Sequence, residues 1–240
     1  MYGIAGLLTG RTLAGRYLIE AVIGRGGMGA VYRAADERLS RAVAVKVVGA
    51  VTNDPAEHDR LRARFHREAR AAAALRHTNV VQVHDFGTDP ELDLDYLVME
   101  LLHGEDLSAR LMRTGAPPLP ESLSILRQAA RGLAAGHRAG MVHRDVKPGN
   151  LFLEVDEHGE GQVRILDFGI AQLAVEESVL TMAGRDPLSP TYAAPEQLRG
   201  AERLTPAADV FSLPATGPSL PRKRERWKLF PQGPSALMKQ

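Results

Sequence analysis

Apolar and polar positions alternate through much of the first hundred residues, as they do in half-buried strands. Tyr17 to Ile23 and Ala30 to Asp36 read as two strands joined by Gly24-Arg25-Gly26-Gly27-Met28-Gly29, and Arg41 to Val48 reads as a third. The pattern then turns helical. Asp54-Pro55-Ala56-Glu57 supplies a capping side chain, a proline for the first helical position and a glutamate three residues after the cap, so a helix is expected to about Leu75. Its apolar positions are Leu61, Phe65, Ala72 and Leu75, and Glu68 stands where that series leaves a gap. Val80 to Phe86 and Asp95 to Met99 are predicted as two further strands around an acidic loop.

Past Met99 the strand pattern stops, and Glu100 to Gly104 reads as a linker between two lobes. Glu105 to Thr114 is predicted as a short helix ended by Gly115 and Pro117-Pro118. A longer helix is expected from Pro120 to about Arg138 with Leu123, Leu126, Ala130 and Leu133 inward. Leu151 to Leu153 and Val163 to Leu166 are expected as short strands flanking a glycine-rich turn. The resulting class is α+β, with a small β-rich lobe holding one helix and a mainly helical second lobe.

Composition narrows the possibilities. A chain of 240 residues with 44% apolar content can bury a sizeable core, and a formal charge of +1 gives no global field toward nucleic acid or membranes. With no cysteine, disulfides, thiolate catalysis and cysteine-based zinc sites are excluded. Met1 to Gly10 has no basic leader region, and no run of eighteen apolar residues occurs. A cytoplasmic protein with neither a nucleic-acid partner nor a membrane segment is therefore expected. The basic run Arg222 to Lys228 reads as part of a disordered tail.

The densest chemistry lies in His143-Arg144-Asp145-Val146-Lys147-Pro148-Gly149-Asn150, followed by Asp167-Phe168-Gly169. Phosphoryl transfer needs an acceptor-only oxygen to orient a hydroxyl nucleophile, oxygen ligands for Mg²⁺ and a cation near the transferred group. Asp145 fits the first need, Asn150 and Asp167 the second, and Lys147 the third. The glycine-rich stretch joins two strands rather than a strand and a helix. This argues against a dinucleotide-binding turn and for a hairpin whose backbone closes over phosphates. Lys46, set among valines, needs a partner if buried, and Glu68 on the inward stripe of the following helix is the obvious one. Local pairing of helix acids with Arg64 or Arg67 is the competing arrangement.

In this order the motifs resemble the bacterial eukaryotic-like (Hanks-type) serine/threonine protein kinases over roughly Tyr17 to Leu213. The resemblance implies a two-lobed kinase-like fold with an N-lobe over 17–100 and a C-lobe over 101–213, between a leader at 1–16 and a tail at 214–240. It implies ATP and Mg²⁺ as cofactors. Gly24, Arg25, Gly26, Gly27, Met28 and Gly29 would cover the phosphates. Val31, Ala44 and Met99 would line the adenine pocket, and Glu100 to Leu102 would offer it hinge backbone groups. Lys46, paired with Glu68, would hold the α- and β-phosphates. Asp145 would orient the acceptor hydroxyl, Lys147 would sit by the γ-phosphate, and Asn150 with Asp167 would bind the metal. Lys147, two residues after Asp145, matches the serine/threonine pattern. Arg144 points to control by phosphorylation of the loop after Asp167, with Thr181 and then Ser178 as candidates. The implied partners are proteins bearing serine or threonine acceptors, received near Ser189 to Tyr192, and a second copy of the chain for autophosphorylation.

Departures begin after Ala194-Pro195-Glu196. Asp209 to Leu213 resembles the opening of the buried helix under the catalytic loop, with Asp209 expected to bond the backbone near His143 and Arg144. Pro214 then stands where that helix should continue. The C-lobe is expected to be incomplete and Glu196 to be left buried without an arginine partner. The alternative function is accordingly a catalytically impaired nucleotide-binding remnant or interaction module.

Overall fold

The computed structural model describes residues 8–26, 29–49, 52, 54–155, 161–168, 191–200 and 204–216. Five of the six strands of the first sheet overlap the strands that the sequence predicts. They are β2 (Tyr17–Gly26), β3 (Gly29–Asp36), β4 (Arg41–Val48), β5 (Val83–Asp89) and β6 (Leu94–Glu100), with a short edge strand β1 (Thr12–Leu13). The order is β1-β2-β3-β4-β6-β5, antiparallel at every step. In β4 the period of two places Val43, Val45 and Val47 in one apolar cluster with Tyr17, Ile19, Tyr32 and Val98. Ala44 faces the other way, into a cluster with Phe65, Ala69, Ala72, Leu97 and Met99. Lys46 shares that parity and is 7% exposed.

Helix α1 (Pro55–Ala74) begins as its cap predicts. The Asp54 side chain accepts the N–H of Ala56, and Glu57 takes the Thr52 hydroxyl. Its buried positions are Phe65, Ala69 and Ala72. Two boundaries shift. Residues 8–16 are no detached leader, because Leu8 and Leu13 enter the first cluster and β1 pairs with β2. Val80 is not yet in β5; it bridges in parallel to Ile165 in the second lobe.

The second lobe holds the sheet β7-β8-β9 (Gly104–Asp106, Leu151–Val155, Gly161–Ile165) and helices α2 (Leu107–Thr114), α3 (Leu119–Arg138), α4 (Pro195–Leu198) and α5 (Pro206–Thr216). Gly104 to Asp106 pair with β8, so α2 starts at Leu107, capped by Asp106, rather than at Glu105. No helix among the described residues is long and apolar enough to cross a membrane.

Two expectations are corrected here. The buried positions of α3 include Ser122, Ile125, Ala129, Gly132, Leu133 and Gly136, whereas Leu123 is 56% exposed and Ala130 is also outward. The cause is close approach. A Cβ on Gly132 would lie 2.6 Å from the Asn79 carbonyl oxygen, and one on Gly136 would lie 2.1 Å from Cζ of Phe168. Small residues share the packed face with Ile125 and Leu133, and they set where it lies. The second correction concerns Pro214, which does not stop α5 at Leu213; the helix runs on to Thr216. Pro214 sits in the last turn, where its missing N–H forgoes the bond to the carbonyl of Val210, a residue 63% exposed. The Ser212 and Thr216 hydroxyls bond the carbonyls of Ala208 and Leu213.

Gly136→Ala should therefore destabilise the protein by about 1 to 3 kcal/mol through overpacking against Phe168, while Ala130→Ser stays within about 0.5 kcal/mol. Urea titration of both variants checks this; equal stabilities would contradict the packing described.

Candidate active site

The loop between α3 and β8 carries Asp145, Lys147 and Asn150, and Asp167 follows β9. Lys147 Nζ is 2.6 Å from Asp145 Oδ2. Asn150 Nδ2 donates to the Asp145 carbonyl at 2.7 Å and to its Oδ2 at 3.0 Å. The Asn150 amide nitrogen is thus committed, which leaves Oδ1 as its atom for a cation. His143 is fully buried, its ring edge-on to Phe168 with centroids 5.1 Å apart. Nε2 lies 2.7 Å from the Leu166 carbonyl oxygen, and Nδ1 accepts the Asp145 N–H at 3.3 Å. A carbonyl only accepts and an amide N–H only donates, so the ring carries its proton on Nε2.

Two non-glycine residues here sit in the left-handed region, Arg144 at φ 71° and Asp167 at φ 56°. Such backbone persists where its surroundings over-determine it. For Arg144 they do. Asp209, 1% exposed on α5, accepts the His143 N–H at 2.8 Å and the Arg144 N–H at 2.7 Å, as anticipated. Its Oδ2 also takes Nε2 of His137 from α3 at 2.7 Å. The Arg144 carbonyl accepts Nε2 of Gln197 from α4 at 2.7 Å. The sequence reading did not single out His137 or Gln197; neither has a motif signal of its own.

The expected Lys46–Glu68 ion pair is not formed. Lys46 Nζ instead meets Asp167 Oδ1 at 2.7 Å, and Glu68 takes the local alternative, Arg64, at 3.2 Å. The ammonium of Lys46 is thus committed to Asp167. Burial alone would raise the Asp167 carboxyl, but the charge and hydrogen bond of Lys46 hold it below its ordinary value. Glu68 shows the opposite balance: desolvation raises its carboxyl, with Arg64 opposing, and its buried Oε2 has no hydrogen-bond partner among the described residues.

Val31, Ala44, Met99 and Leu102 gather in one apolar cluster between the lobes, joined by Met141 and Leu166, which the sequence did not mark. The Glu100 N–H donates to the Gln82 carbonyl at 3.0 Å, and its Oε1 accepts the Gln82 N–H at 2.7 Å, so both groups are used inside the fold. Gly24, Arg25, Gly26 and Gly29 lie on the β2–β3 hairpin. Gly27, Met28, Gly169, Ser178, Thr181, Ser189 and Pro190 lie outside the described residues. Thr191, Tyr192 and Glu196 are half-buried, so Glu196 is not the fully buried carboxylate expected. Asn150 and Asp167 offer hard oxygen donors of the kind that suits Mg²⁺, and the apolar cluster beside Lys46 suits a base with attached phosphates.

The family model described as protein kinase domain matches residues 17–228. Over 212 residues the chain is 45% identical to serine/threonine-protein kinase PknA of Mycobacterium tuberculosis, which covers 87% of this chain and 47% of that protein. It is 42% identical over 207 residues to a probable serine/threonine-protein kinase of Streptomyces coelicolor, covering 84% of this chain and 29% of that protein. The chain thus spans less than half the length of these relatives. A crystal structure of the M. tuberculosis PknI kinase domain superposes with a TM-score of 0.66 at 29% identity, over 87% of this chain and 73% of that one.

The Glu68 environment has a pH signature. A carboxyl whose folded pKa lies above the unfolded value contributes stability that is fully present below the unfolded pKa and is lost as pH rises through the folded one. Glu68→Gln removes that dependence, so its thermal midpoint relative to the parent should climb from acid to neutral pH. A parent that is the more stable of the two at neutral pH would contradict the desolvated, partly unsatisfied carboxylate.

Proposed function

Because the chain belongs to the protein kinase domain family, we propose that it transfers the γ-phosphoryl group of ATP to serine or threonine hydroxyls of proteins. The observation that carries the reading is the Asp145 carboxylate, held against Lys147 Nζ at 2.6 Å and Asn150 Nδ2 at 3.0 Å on a loop anchored to α5. Asp145 orients the acceptor hydroxyl and takes its proton as the bond from the hydroxyl oxygen to the γ-phosphorus forms and the bond from that phosphorus to the β,γ-bridging oxygen breaks, releasing ADP. Lys147 is close enough to share the charge of the group in transit. Val31, Ala44, Met99 and Leu102 hold the base apolar-side in, and the β2–β3 hairpin with Gly24, Arg25, Gly26, Gly27, Met28 and Gly29 covers the phosphates. Hinge groups at Glu100 to Leu102 read the base edge, with Leu102 the better placed because the Glu100 N–H is engaged by Gln82. Asn150 and Asp167 would hold Mg²⁺, which when bound neutralises charge on the phosphates.

Lys46 reaches the phosphates once it is exchanged from Asp167, and Glu68, released from Arg64, is then the carboxylate available to it. Thr181 and Ser178 are the proposed autophosphorylation sites in the loop after Asp167, with a second copy of the chain as the partner in that reaction. A boundary near residue 100 divides the proposed lobes.

The test is transfer of labelled γ-phosphate with Mg²⁺ to the protein itself and to a basic protein substrate. The parent should form phosphoserine or phosphothreonine, and Asp145→Asn should lower the rate about 10²- to 10⁴-fold, the usual worth of a positioned base. No transfer by the parent, with ATP still bound in a Lys46-dependent manner, would replace this reading with that of a nucleotide-binding module. Phosphate mapping after the reaction should find Thr181 or Ser178 modified; an active enzyme modified at neither would remove them as sites.

A further inference from the structure

Gln197 is 7% exposed and its side-chain amide is used at both ends. Oε1 accepts the N–H of Ala194 at 2.9 Å, and Nε2 donates to the carbonyl of Arg144 at 2.7 Å. The orientation of the amide is fixed by its partners, since an N–H can meet only the oxygen and a carbonyl only the nitrogen. The Arg144 carbonyl belongs to the same planar peptide unit as the Asp145 N–H, and that N–H donates to His143 Nδ1. Gln197 and His143 therefore grip the two ends of the peptide unit that leads into Asp145. Asp209 grips the two units before it, through the His143 and Arg144 N–H groups, and not this one. The Arg144 backbone between these units is in the left-handed region, where a side-chain-bearing residue relaxes if a restraint is removed.

We propose that Gln197 is a positioning residue for phosphoryl transfer, tying the Ala194-Pro195-Glu196 end of the segment that follows Asp167 to the peptide that orients Asp145. The proposal rests on the kinase reading. Ala194 is fully buried, so the tie connects two anchored pieces of backbone rather than a loose end. Movement of the Ala194 end is passed through one side chain to the carboxylate that orients the acceptor.

Three chains are compared: the parent, Gln197→Ala and Gln197→Glu. Loss of the tie in Gln197→Ala should lower kcat about 10- to 100-fold, as misplacement of a reacting group does, with the KM for ATP close to the parent's. Gln197→Glu keeps an acceptor for the Ala194 N–H but, when ionised, sets a negative oxygen against the Arg144 carbonyl. Protonation of the introduced carboxyl restores a donor, so its kcat relative to the parent at the same pH should recover as pH is lowered. A purely structural role would give no such recovery.

Amide hydrogen exchange over residues 143–147 is measured in all three chains and should be faster in Gln197→Ala. A parent that transfers no phosphate sinks the kinase reading, while the exchange still decides whether the tie restrains this backbone. Parent-like kcat and parent-like exchange in Gln197→Ala would overturn the proposal. So would a loss of activity confined to KM, or a Gln197→Glu chain whose ratio to the parent is flat with pH.

Discussion

The carboxylate of Asp209 is the constraint on which the catalytic loop depends. Its buried charge would cost several kcal/mol if it stood alone, and it is compensated by two backbone N–H groups and His137. The compensation is mutual. Without Asp209 the His143 and Arg144 N–H groups would be buried with no acceptor, and the left-handed turn at Arg144 would lose one of its holders. Because His137 lies on α3 and Asp209 on α5, the same group fastens two helices to each other and both to the loop. The loop that carries Asp145, Lys147 and Asn150 starts from this anchored turn.

A second feature is how the charges between β4, α1 and the loop after β9 pair: Lys46 with Asp167, and Glu68 with Arg64. Contacts on both sides of α1 hold Glu68 in that arrangement. Phe65, Ala69 and Ala72 pack the helix against Val81, Val83 and Leu97. On its outer side Arg62 binds Asp93 at 2.6 Å and Asp95 at 3.3 Å, fixing the helix to the β5–β6 hairpin. Held there, Glu68 keeps Arg64, four residues back along the same helix, and Lys46 goes to Asp167. A pair four residues apart on one helix needs no rearrangement of the fold to form.

Much of this was legible in the chain because it rests on local rules. The Asp54 cap, the valine alternation of β4 and the loop from His143 to Asn150 follow from residue type and spacing, while the bond from Asp209 to that loop is what the family resemblance implies. What was not legible depends on who approaches whom. On α3 the expected Leu133 is buried but Leu123 and Ala130 are not, because the face is set by Gly132 and Gly136, which Asn79 and Phe168 approach closely. The choice of Asp167 over Glu68 by Lys46 is a competition between two sites of the right type, and spacing does not rank them. Gln197 looked like an ordinary polar residue beside a motif; its two partners lie 3 and 53 positions away, and the distant one gives it a role.

The glycine-rich hairpin separates the same two kinds of information. Gly29 is required by the fold itself: at φ 138°, a Cβ there would fall 2.0 Å from the Val47 carbonyl oxygen on the neighbouring strand. Its presence therefore says nothing by itself about phosphates. Gly24 is different. A Cβ there would meet only the Val31 side chain, at an ordinary 3.6 Å, and its backbone is not in the left-handed region, so neither packing nor conformation demands glycine. The strand would tolerate alanine at that position. Of the two, it is therefore Gly24, not the more constrained Gly29, whose glycine is left over by the fold and is the one that the proposed cover over phosphates would use.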